Sequence, residues 1–142
     1  MSALKQERNT PQYGVEVMPQ LLSYPVAAGV HLYQGGLAVL KGGYVEPGQS
    51  AADLITLGRV EQGIDNTQGQ AGEQKVLVRQ GVFLWNNSAD GEAVRAQDVG
   101  ADCYVVDDQT VARTDGNDAR SRAGKVVQVE PQGVWVLTGI GV

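Results

Sequence analysis

A chain of 142 residues fits one domain, and a domain of that size buries roughly two-thirds of its unfolded surface without needing disulfides or metal. Its eleven Lys and Arg are scattered among sixteen Asp and Glu, for a net charge of −5, so the concentrated basic face that nucleic-acid binding requires is missing. No apolar run approaches the ~20 residues of a membrane helix, and the opening M-S-A-L-K-Q-E-R-N-T has charges with no apolar stretch behind them, so neither a span nor a signal peptide is expected. Nineteen dispersed glycines, nearly twice the average usage of about 7 %, point to many tight turns between many short strands.

Residues 1–12 are polar and aperiodic and end at Pro11, which reads as an arm ordered only by a partner. The alternation Y-G-V-E-V-M from Tyr13 puts Val15 and Val17 on one face, an arm or edge strand closed by Pro19. Val30–Tyr33 reads as a strand. Gly35-Gly36 then leads into L-A-V-L, and Lys41-Gly42-Gly43 turns it into Y-V-E-P, a compact hairpin. A short turn at Ala51–Asp53 precedes a strand over Leu54–Val60, and G-I-D-N-T-Q-G-Q-A-G-E follows as a polar loop of the kind that meets partners. K-V-L-V-R-Q and G-V-F-L-W-N read as one long strand, bulged or bent at Gly81.

Ala96–Val99 suits a single helical turn. Cys103–Val106 and Thr110–Ala112 flank Asp107-Asp108-Gln109 as a tight hairpin. A second polar loop, R-T-D-G-N-D-A-R-S-R-A-G, precedes a closing hairpin of V-V-Q-V-E, Pro131-Gln132-Gly133 and V-W-V-L-T. The expectation is an all-β body, a small barrel or jelly-roll-like sandwich of about nine or ten short strands. It comprises an extended N-terminal arm (1–20) and a single β-domain (21–142), with no fixed-period repeat.

Chemistry-bearing constellations are sparse. His31 is the only histidine and has no Cys, His or carboxylate at zinc-ligand spacing, so it reads as a strand histidine and no metal site is expected. No G-x-S-x-G elbow and no phosphate-binding glycine loop occur, and neither catalytic residues nor a cofactor are expected. Asp107, Asp108, Asp115 and Asp118 fit turn residues better than calcium ligands. Cys103, in an apolar run, reads as a buried small hydrophobe rather than a reactive thiol. The sequon Asn86-Asn87-Ser88 is idle without export. Trp85 and Trp135 are placed at strand ends, with core packing favoured over an exposed anchor. Arg113, Arg120 and Arg122 share one loop, either solvated or touching an acidic protein surface.

The segments A-L-K-Q-E-R-N-T-P, V-R-Q-G-V-F-L-W-N-N-S, D-V-G-A-D-C-Y-V-V-D-D-Q-T-V-A-R-T and A-G-K-V-V-Q-V-E-P-Q-G-V-W-V resemble the tailed-bacteriophage head decoration (cement) proteins, most strongly from Val76 to Val136. The resemblance implies a β-barrel or jelly-roll-like body on the outside of an assembled capsid, spanning junctions between major capsid proteins and stiffening the shell. It implies no active site. Expected contacts are the arm residues Leu4, Lys5, Arg8, Pro11, Tyr13, Val15 and Val17, together with Arg113, Arg120 and Arg122. The partner is the major capsid protein. The chain is expected to be a homo-oligomer, dimer or trimer, made in the host bacterial cytoplasm and located on the virion's outer surface, without nucleic-acid or membrane partners. The competing expectation is a carbohydrate-binding or tail-associated β-domain of a virion.

Overall fold

Among the described residues, twelve short strands arise where runs of β-branched and aromatic residues are cut by Gly, Asp and Pro. The computed structural model describes residues 3, 5–9 and 21–142; the expected strand at Tyr13 lies outside them. In chain order the strands are β1 (Leu21–Pro25), β2 (His31–Leu32), β3 (Leu37–Lys41), β4 (Tyr44–Pro47), β5 (Ile55–Val60) and β6 (Ile64–Asp65). They continue with β7 (Lys75–Arg79), β8 (Gly81–Asn87), β9 (Asp102–Val105), β10 (Thr110–Ala112), β11 (Arg122–Glu130) and β12 (Gly133–Thr138). The only helical pieces among the described residues are two 3₁₀ turns, Asp90–Glu92 and Ala96–Asp98, the second at the expected helical turn. The all-β expectation holds. The strand count exceeds it because β2 and β6, two residues each, pair within stretches read as a longer strand and a loop.

Two five-stranded sheets form the body. One runs β1-β7-β5-β3-β4, and the other closes into a barrel in the order β8-β12-β11-β9-β10. The expected single bent strand at residues 75–86 is instead a crossing point. β7 belongs to the first sheet and β8 to the barrel, and the chain changes sheet at the buried Gln80, whose Oε1 accepts the Ile140 N–H at 2.7 Å.

The two sheets repeat one design. Substituting β8, β9, β10, β11 and β12 for β1, β3, β4, β5 and β7 converts one strand order into the other. The correspondence extends to the register. Ala38 faces Gly58 and Val39 faces Thr56 across a one-residue bulge; Cys103 faces Gly124 and Tyr104 faces Arg122 across the same bulge. Both units bring first and third strands together in parallel, through Val26 and Val45 in one and through Asn86–Thr110 and Asn87–Val111 in the other. Core positions correspond as well: Val45 with Val111, Leu57 with Ala123, Val60 with Val126, Val76 with Val134 and Val78 with Val136, all buried. In sequence the traces are short, Gly58-Arg59-Val60 against Gly124-Lys125-Val126 and Val76-Leu77-Val78 against Val134-Trp135-Val136, too little to register as a period.

Each unit has its own core, and β3 feeds both. Its alternation points Ala38 and Leu40 into the first core and Leu37 and Val39 into the barrel's. Fully burying a side chain such as Leu37 contributes about 1.5–3 kcal/mol. Polar clamps frame this shared apolar contact. Leu37 N–H donates to the Asp108 carbonyl at 2.7 Å, Thr56 Oγ1 to the Arg122 carbonyl at 2.7 Å, Leu54 N–H to Ser121 Oγ at 2.8 Å and Ser50 Oγ to the Val106 carbonyl at 2.8 Å.

Candidate interaction surface

A strand with one face in a core sends its alternate residues outward. In β7 those are Lys75, Leu77 and Arg79; in β12 they include Trp135 and Leu137. Their cross-strand partners are Leu21 and Ser23 on β1 and Val82 and Leu84 on β8. Leu21, Leu77, Val82, Leu84 and, on β11, Val127 are each between 40 % and 45 % exposed, more apolar area than a strand's solvent face usually carries. At the boundary of the units a shallow groove is lined by Gly35, Arg59, Val82, Phe83, Leu84 and Trp135. The Arg59 guanidinium lies 4.5 Å from the Phe83 ring centroid, a cation–π contact. Phe83 meets Trp85 edge-on at 6.1 Å.

Fixed ion pairs stiffen this surface. Glu61 receives Arg59 at 2.9 Å and also pairs with Arg79 Nε, bridging β5 and β7. Burial pushes the Glu61 carboxyl up, but the hydrogen bonds and charges of the two arginines outweigh it and hold it below its ordinary value. In the barrel, at a different position, Asp102 likewise sits between two cations, 2.8 Å from Arg122 Nε and 2.7 Å from Lys125 Nζ. Desolvation again raises its carboxyl, and the two cations again prevail and lower it.

Of the three arginines expected in one loop, Arg113 and Arg120 both hold the Asp90–Glu92 turn and Arg122 lies apart. Arg113 donates to the Gly91 carbonyl at 2.7 Å, Arg120 binds Glu92 at 3.0 Å and the Thr114 carbonyl at 2.9 Å, and Arg122 lies in β11 against Asp102. Lys5 and Arg8 are exposed. Leu4, Pro11, Tyr13, Val15 and Val17 lie outside the described residues.

Both tryptophans sit within strands rather than at their ends. Trp85 is buried and donates its indole N–H to Thr138 Oγ1 at 3.2 Å, whereas Trp135 is half-buried on the outer face. Cys103 is fully buried, and burial pushes its thiol up to about 12, the state of an inert core residue. His31 is a strand residue stacked on Tyr33, with centroids 4.1 Å apart. Asp107 and Asp115 each accept the N–H two residues on, from Gln109 and Asn117, which is Asx-turn geometry. The Asn87 amide bonds both the N–H and the carbonyl of Val94. Among the described residues no three His, Cys, Asp or Glu side chains converge as metal ligands.

Sequence reasoning missed Leu21, Leu77, Val82 and Leu84. The signal was present: K-V-L-V-R and G-V-F-L-W are apolar at successive positions, so whichever face lies in the core, the other also carries apolar residues. No family model, curated protein or solved structure matches this chain.

Proposed function

We propose that the chain is a non-enzymatic capsid decoration protein that binds the outer surface of a phage head across major capsid protein junctions and stabilises the shell. The observation that carries this reading is the pairing of two interlocked β-cores with outer sheet faces that leave leucine, valine and tryptophan in water. A rigid body with unpartnered apolar faces gains most by covering them against another protein. The resemblance of Val76–Val136 to head decoration proteins supplies the class of partner. On the shell the chain acts as a dimer or trimer, since symmetric self-association suits a symmetric lattice. The burial of Trp85 removes one of the two tryptophans that a carbohydrate platform would need.

The test mixes purified protein with DNA-free expanded heads of the phage that encodes it, followed by co-sedimentation and imaging. Saturable occupancy on the exterior and a raised disassembly temperature are expected. Deleting residues 1–12 is expected to weaken occupancy while leaving the melting of the isolated protein unchanged. Absence of bound density at any protein excess would end this reading.

A further inference from the structure

The duplicated architecture gives the outer faces a meaning that one unit alone would not have. The ladders equate Leu21 on β1 with Val82 on β8, because Leu21 faces Arg79 and Val82 faces Leu137 at the same step of the register. They likewise equate Leu77 with Trp135, which face Ser23 and Leu84, and Arg59 with Lys125, which face Arg79 and Leu137 on the next strand. At these three outward positions each unit places two large apolar side chains and one cation. Outside these positions the units match at the buried valines and the bulge glycines, which folding explains, whereas nothing in folding a barrel requires apolar residues on the solvent side of its strands.

Charge points the same way. The two outer faces carry Lys75, Arg59, Arg79, Lys125 and Arg122 against Glu61, Asp102 and Glu130, a basic balance on a chain whose net charge is −5. A partner surface that complements them is apolar at its centre and acidic at its rim.

We infer that the chain is a tandem duplication of one five-stranded unit, and that the faces around Leu21–Leu77–Arg59 and Val82–Trp135–Lys125 are two copies of one docking surface. They engage the same acidic-rimmed apolar patch on two neighbouring subunits of a repeating shell. This inference rests on the capsid-binding reading and specifies its contact. Linking two weak contacts through a stiff body raises overall affinity by about 10²–10⁴ over one contact, which suits a protein that must bridge a junction.

The experiment compares wild type with Leu21→Asp/Leu77→Asp, with the equivalent Val82→Asp/Trp135→Asp and with all four substitutions, titrated onto DNA-free heads at several salt concentrations. Each double variant is expected to weaken binding by roughly 10²-fold through loss of linkage, the quadruple variant to show no saturable binding, and binding of wild type to weaken as salt rises. If one double variant binds as wild type does while the other accounts for the whole loss, the two faces are not equivalent and the inference fails. A wild-type dimer that the same substitutions dissolve would assign the faces to a second copy of this chain, and would also overturn it. Should an Asp variant lose its cooperative melt, the Thr series at the same positions, which suits β-strands, provides the comparison. Wild type that never binds heads sinks the capsid reading itself, a result distinct from either failure above.

Discussion

Gly58 and Gly124 show how much a single position decides. Each sits at the bulge of its unit with φ of 146° and 159°, and a Cβ there would overlap a backbone carbonyl, that of Arg79 or of Leu137. Those carbonyls belong to neighbouring strands of packed sheets, so they cannot move aside without breaking the ladder. Gly58→Ala and Gly124→Ala are therefore each expected to cost about 2–4 kcal/mol, combining backbone strain with overpacking. Gly91→Ala, where nothing lies within 4 Å, is expected to stay within about 0.5 kcal/mol of wild type. Chemical denaturation of the three variants checks this, and near-neutral melts for both bulge variants would show that the close approach can relax. The equality of the two costs matters as much as their size, since it follows from the glycines being one residue in a repeated design.

At the scale of strands the units differ in how firmly they close. In the barrel, Asn86 N–H donates to the Gln109 carbonyl at 2.8 Å and fastens β8 to β10. The equivalent residue in the first unit is Pro25, which has no N–H to give, so that seam is held by the bridge of Val26 with Val45 and the Ala27 N–H to Val45 carbonyl bond at 3.0 Å. One sheet is thus a closed barrel and the other remains open. Asn86→Pro is expected to open the second seam at a cost of about 1–3 kcal/mol, with faster amide exchange at Val111 and no change at β5. Unaltered protection in β10 would mean the seam is held by packing alone. This closure was beyond sequence reading, because parallel pairing joins residues far apart in the chain with no local turn to announce it. The hairpins β3–β4, β9–β10 and β11–β12 were legible because Gly42-Gly43, Asp107-Asp108 and Gln132-Gly133 state their turns locally. Gly81 drew attention as a bulge, yet its ideal Cβ would meet only ordinary contacts with the Phe83 ring; the true bulges, at Gly58 and Gly124, sit inside runs that read as uninterrupted strands. The exposed apolar faces were hidden for a related reason: two-sided apolarity in β7 and β8 resembles a strand buried on both sides.

For the whole molecule, the decisive fact is that the two units are joined head to tail. The first unit grips the second with the outer face of β3 and β5, through Leu37, Val39, Leu54 and Thr56, applied to the β9–β10 turn and the start of β11. Heterologous contacts between like units propagate unless something stops them. What stops them is visible in the second unit, where Asp102 stands at the position of Leu37, Tyr104 at that of Val39 and Arg122 at that of Thr56. The face that would grip a third unit is therefore polar, with Asp102 bound to Arg122 and Lys125. Burying that network without partners would cost more than the contact returns. The triple variant Asp102→Leu, Tyr104→Val and Arg122→Thr restores the gripping face while leaving the inward residues Cys103, Val105 and Ala123 untouched. It is expected to self-associate beyond wild type in a concentration-dependent series, because each added copy presents the same face again and the docking end around Tyr44 and Ile55 stays exposed. Sedimentation velocity over a hundredfold concentration range reads this directly. A triple variant that sediments as wild type does, while melting cooperatively, would mean that the polar substitutions are not what limits the array to two units.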